Sequence, residues 1–100
     1  MDFIDVLKRI AEDSKQGKFD KKANVFYAED FQDVTISGEN TSFALSTNPD
    51  ATNEYNAQFG DIHRSYESGS EEYAACKVIM DYFFNSEHFV SCFIKNFYGE

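Results

Sequence analysis

Apolar positions at the start of the chain follow a helical period. Phe3, Leu7 and Ile10 recur at that spacing, flanked by Ile4 and Ala11, so residues 2–16 are predicted to form a helix with one apolar stripe. Asp2 is the expected N-cap. Asp5 lies in the first turn, where negative charge suits the helix dipole. Asp5 and Arg9 stand at i,i+4 in the favourable order. Gly17 is the expected stop, with Lys15 and Lys18 near the C-terminal end.

From residue 24 to 47 the helical period disappears and β-branched and aromatic residues take over. Val25, Tyr27 and Phe31 share one parity, whereas Val34 and Ile36 share the other. That shift predicts a bend or tight turn near 29–33, with one strand before it and one after. Gly38-Glu39-Asn40 is a turn signal. An even loop centred between Gly38 and Glu39 would pair Ile36 with Thr41 and Val34 with Phe43. Val34, Ile36, Phe43 and Leu45 would then share one face. A three-residue loop would split that face, so the even loop is preferred, with the Gly-first chemistry of a type II′ hairpin.

Asn48-Pro49-Asp50 should end the second of these strands, because proline cannot donate to a ladder. Residues 50–59 are polar and read as a loop. In residues 61–67, Ile62, Arg64 and Tyr66 alternate with Asp61, His63 and Ser65, which fits a fourth strand.

A second helix is predicted to start near 68–72, capped either by a Ser68–Glu71 box or by Ser70 with two acids following. Ala74, Ala75, Val78, Ile79, Tyr82 and Phe83 mark its face, and Phe89, Val90, Phe93, Ile94 and Phe97 continue the pattern. One helix over 71–98 is compatible with this stripe. So is a hairpin broken at Asn85-Ser86, which is preferred because 28 residues is long for a domain of this size. An unbroken helix would hold Cys76 and Cys92 roughly 24 Å apart, too far for a disulfide. Tyr73, Phe84 and Tyr98 flank the stripe; packing under the sheet edges is expected of them ahead of partner contact.

The elements sum to an α+β domain spanning 1–100. It has an N-terminal helix, a small antiparallel sheet of three to four strands, and a C-terminal helix or helical hairpin packed on that sheet. The composition is ordinary for a folded protein, with 42% of residues hydrophobic. Eleven Phe against no Trp predict a core built largely from phenylalanine. The longest apolar run is Val25-Phe26-Tyr27-Ala28, far short of a membrane helix. Met1-Asp2-Phe3-Ile4-Asp5 lacks the basic and apolar segments of a signal peptide, so a cytoplasmic location with reduced thiols is expected.

Charge changes the picture most. Eighteen acids face nine bases, for a net charge of −9, which disfavours direct nucleic-acid binding. The distribution is uneven. Residues 1–22 carry six bases and five acids, whereas residues 23–63 carry seven acids and no base. Those seven, Glu29, Asp30, Asp33, Glu39, Asp50, Glu54 and Asp61, are the candidate partner-binding residues.

Catalytic chemistry finds no support. The glycines are isolated, so no loop cradles a phosphate, and no nucleophile–His–acid motif is present. His88 and Cys92 at i,i+4 could share a metal edge, but His63 and Cys76 complete no common zinc spacing. No cofactor or metal is expected. Small acidic proteins without catalysis can present carboxylates where a basic groove expects phosphates. The expected function is therefore inhibition of a nucleic-acid-processing enzyme, of the kind phages direct against restriction or CRISPR effectors. The alternatives are an immunity protein for a nuclease toxin, a small acidic chaperone or adaptor that could act as a homodimer, and a charge that serves only solubility.

Overall fold

The computed structural model describes residues 2–29, 31–48, 51–85, 87, 90, 94 and 97–99. Helix α1 runs over Phe3–Lys15 and helix α2 over Glu71–Phe84. Between them lie five strands, β1 Ala23–Ala28, β2 Phe31–Ser37, β3 Ser42–Asn48, β4 Ala51–Phe59 and β5 Ile62–Glu67. They form one antiparallel meander in the order β1-β2-β3-β4-β5. The α+β class expected from the sequence is correct, but the sheet has five strands rather than three or four.

The additional strand is β4, where the polar composition of 50–59 predicts a loop. Its alternation is present but muted. Tyr55 and Ala57 are buried, and Phe59 packs against the core, while Glu54, Asn56 and Gln58 take the opposite parity. Alanine at the central inward position hides a period that a larger residue would have announced. Pairing with β3 and burial of Tyr55 and Ala57 in the core, rather than local propensity, make this segment a strand.

The β2–β3 hairpin has the expected apolar face but a different register. Val34 pairs with Leu45 and Ile36 with Phe43, so the turn is centred between Glu39 and Asn40. Ser37 and Ser42 close a four-residue loop in which the Gly38 amide donates to Thr41 O at 2.8 Å. A shift of two residues along the partner strand preserves side-chain parity, so all four apolar residues still face the core. Gly38 is not among the residues of positive φ, which rules out the type II′ geometry. Its requirement is space, because a Cβ there would lie 2.9 Å from the Thr41 carbonyl oxygen.

Both helices cover one face of the sheet. Leu7 and Ala11 of α1 join Ala75, Cys76, Ile79, Met80 and Phe83 of α2 over Val34, Ile36, Phe43, Leu45, Tyr55 and Ala57. Each large side chain in this layer contributes roughly 1.5–3 kcal/mol by burial. The core is less dominated by phenylalanine than composition implied, since Phe43 and Phe83 are its only buried phenylalanines among the described residues.

The helix ends follow their capping chemistry. Asp2 is the N-cap of α1 by backbone conformation, with no side-chain hydrogen bond, and Gly17 follows the helix at φ 75°. Ser70 caps α2, its hydroxyl accepting from the Tyr73 amide at 3.0 Å, so the second of the two caps considered is the one used. The buried stripe of α2 is rotated from expectation. Cys76 and Met80 are enclosed, whereas Ala74 is exposed and Val78 is 37% exposed. Asn85 is extended at ψ 152°, which ends α2 and excludes an unbroken helix to residue 98. Residues 87, 90, 94, 97 and 98 are helical again. Ser86 of the expected break and the pair His88 and Cys92 lie outside the described residues, while Cys76 is a free, buried thiol. Tyr73 packs on Tyr55 with ring centroids 4.7 Å apart, and Phe84 on Tyr27 at 6.5 Å. Tyr98, in contrast, is exposed.

Candidate functional site

Two helices on one face leave the other face of the sheet bare. Strand pleating sends alternate residues there, and the register aligns them into rows across the sheet. One row runs Phe26, Asp33, Ser46, Asn56, Ser65, and the next Asn24, Thr35, Ala44, Gln58, His63. Small side chains on the central strand deepen the middle of this face into a polar trough of about 480 Å³. Ser65 donates to Asn56 Oδ1 at 2.8 Å, and Gln58 donates to Gly60 O at 2.9 Å. The face thus carries hydroxyls and amides held in order by the ladder beneath them.

Asp33 is the acid of the trough, which Arg64 also borders. Partial burial pushes its carboxyl up from the usual carboxylate range, and no neighbouring cation pulls it back. Such a carboxylate is held short of solvation and gains when an external cation reaches it. Phe26 and Phe31 lie beside it, with ring centroids 6.2 Å apart, and half of Phe26 is exposed. A planar guanidinium suits this combination of carboxylate and ring.

The other candidate acids lie around the rim. Glu29 sits in the β1–β2 turn and Glu54 near the start of β4, at one end of the sheet. Glu39 and Asp61 sit in the β2–β3 and β4–β5 turns, at the other end. Seven residues of β2 separate those ends by about 20 Å. Asp30 and Asp50 lie outside the described residues. The structure therefore frames a face with these acids rather than clustering them.

It also places on the sheet one acid outside those seven candidates. Glu67 of β5 stands directly opposite Glu54. Like charges so placed are destabilising, and Asn48 approaches Glu54 Oε2 from the other side at 3.4 Å. The signal for this pair was the alternation of 54–59, which became visible only once β4 was a strand.

Among the described strand residues no lysine or arginine has the outward parity, although Arg64 of β5 also borders the trough. The bases lie elsewhere. Lys8, Arg9 and Lys15 are on α1, and Lys77 pairs with Asp81 on α2. Arg64 is on β5, but its guanidinium sits 4.7 Å above the Phe3 ring on the helical side. Both helices also carry acids, Asp5, Glu12 and Asp13 on α1 and Glu71, Glu72 and Asp81 on α2, so what sets the sheet face apart is its lack of outward-facing bases rather than a monopoly of carboxylates.

Glu29 has φ 51°, the left-handed region, in the two-residue connection between Ala28 and Phe31. A side chain there costs about 1 kcal/mol relative to a residue that tolerates the conformation. Glu29→Asn should raise stability by about 0.5–1 kcal/mol, read as a higher melting temperature. If the Glu29 charge serves recognition, the same variant binds its partner more weakly while melting later. A lower melting temperature would show that Glu29 is not strained.

The chain matches no protein-family model, no curated protein and no solved structure. Among the described residues no group of three or more His, Cys, Asp or Glu is placed to hold a metal ion, and no helix is long and apolar enough to cross a membrane.

Proposed function

We propose that this chain is a small acidic binding protein that occupies a basic, nucleic-acid-binding surface of a partner protein. The observation that carries this reading is the set of acids on and around the bare polar sheet face: Asp33, Glu54 and Glu67, rimmed by Glu29, Glu39 and Asp61, with no lysine or arginine of outward parity among the described strand residues. A surface of one sign attracts an opposite groove over a distance set by salt and repels nucleic acid. Carboxylates spaced on a rigid twisted sheet stand in for backbone phosphates. No step of catalysis is required.

The test compares the protein with an Asp33→Lys/Glu54→Lys variant, each immobilised and exposed to bacterial lysate, then eluted by rising salt and by duplex DNA. Nucleic-acid-processing enzymes should leave at moderate salt, be displaced by DNA, and bind the variant at least about a hundredfold more weakly. Both positions lie on the bare face, so the variant should melt within about 1 kcal/mol of the parent. An unchanged set of retained proteins would reduce the acidic face to a solubility device. One cognate nuclease bound through high salt, yet sensitive to the variant, would indicate an immunity protein.

A chaperone or adaptor is the second reading, favoured by the exposure of Val90, Ile94, Phe97 and Tyr98. Partners held by that segment would resist salt, because apolar burial is not screened, and would ignore the charge reversals.

A further inference from the structure

Between α1 and one end of the sheet lies a second cavity, of about 440 Å³. It is separate from the polar trough and opposite in character. Phe3, Phe19, Phe43 and Phe59 line it with Ile10 and Ile36. Phe59 stacks on Phe3 at 4.8 Å and tilts against Phe43 at 5.3 Å, so three rings are braced against one another. The volume falls in the range of about 300–1,000 Å³ typical of small-molecule sites.

The charge of the lining selects the occupant. In a chain of net charge −9, no acid lines this cavity, and Lys22 is the one charged residue that does. Lys22 is exposed and makes no ion pair among the described residues. Ser37, Thr41 and Ser42 line the cavity too, so hydroxyls are also available to an anionic head. Nearby backbone donors are already engaged: the Gly38 amide with Thr41 O and the Gly60 amide with Ser42 O.

We propose that this cavity binds a small apolar carboxylate, with its hydrocarbon against the phenylalanine rings and its carboxylate on the Lys22 ammonium. The affinity comes from apolar burial and the polarity of the ligand from one cation. A neutral amphiphile enters the same space without the head-group contact, and a cationic one meets repulsion at Lys22.

Titration calorimetry with dodecanoate, dodecanol and dodecylammonium, all below micelle formation, tests this, together with amide-shift mapping on the full chain. Dodecanoate should bind once per chain, with a negative heat-capacity change and shifts at Phe3, Ile10, Phe43 and Phe59. Dodecanol should bind about tenfold more weakly, and dodecylammonium more weakly still. Lys22→Glu should bring dodecanoate to the affinity of dodecanol or below without altering dodecanol binding. Val6→Trp, which fills the cavity from α1, should abolish binding of all three. The proposal fails if dodecanoate does not bind, if the three ligands bind alike, if Lys22→Glu leaves dodecanoate unaffected, or if the shifts fall on residues 87–99 instead.

Discussion

Phe83→Ala should lower the free energy of unfolding by about 3–5 kcal/mol. Phe83 is fully enclosed in the last turn of α2, and it is among the largest side chains so placed. Its ring packs edge-on against Tyr82 with centroids 5.0 Å apart. Removing it leaves a void in the layer between helices and sheet, lined by residues the ladder holds in place. A domain of this size is stable by about 5–15 kcal/mol, so the loss is a large fraction of the whole. Urea titration at constant m-value measures it. Val78→Ala is the comparison, since Val78 was expected in the buried stripe but is 37% exposed; it should cost less than about 1 kcal/mol. Equal losses for the two variants would mean that the helix faces the sheet at the angle the sequence implied, not the one that buries Cys76 and Met80.

The second large effect is alkaline unfolding. Burial pushes the Cys76 thiol up to about 12 from an ordinary 9.0, with the Glu72 charge adding to it. Burial likewise pushes the Tyr55 phenol up to about 12 from 10.0, assisted by Tyr73, Asp81 and Cys76. Both groups release their protons more readily when the chain is unfolded. The unfolded state therefore binds fewer protons above pH 9, and stability falls as pH rises. The contribution of both groups is fully present below pH 9 and lost between about 9 and 12, with Cys76 alone accounting for about 4 kcal/mol. The melting temperature should be flat from pH 7 to 9 with respect to these groups and then drop steeply. Cys76→Ala, although destabilised at neutral pH by its own small void, should move the onset of that drop from about 9 towards 10, where the tyrosine begins to act. A melting temperature unchanged to pH 11 would show that the thiol ionises in place.

Legibility from sequence varied with the size of the side chains carrying the pattern. Helix α1 and the β2–β3 face were readable because Leu7, Val34, Ile36, Phe43 and Leu45 are large and regularly spaced. β4 was not, because Ala57 sits at its central inward position and the chain between it and Pro49 is polar. The rotation of α2 was missed because Cys76 and Met80 compete with Val78 and Ala74 on a helix apolar nearly all round. Only contact with the sheet selects among those faces. The acid-rich stretch was legible as composition, but its arrangement was not. Asp33 in the trough and Glu54 against Glu67 both depend on which strands are neighbours.

By itself the sequence determined the α+β class, two helices and four of the five strands in order, the shared parity of the β2–β3 apolar face and the uneven distribution of charge along the chain. These are local quantities, set by side-chain period, capping chemistry and turn residues. Tertiary structure alone decided the fifth strand, the register of the hairpin, the buried face of α2, and the division of the surface into a polar trough and an apolar cavity. Those depend on burial shared between residues far apart in the chain, which no local pattern specifies.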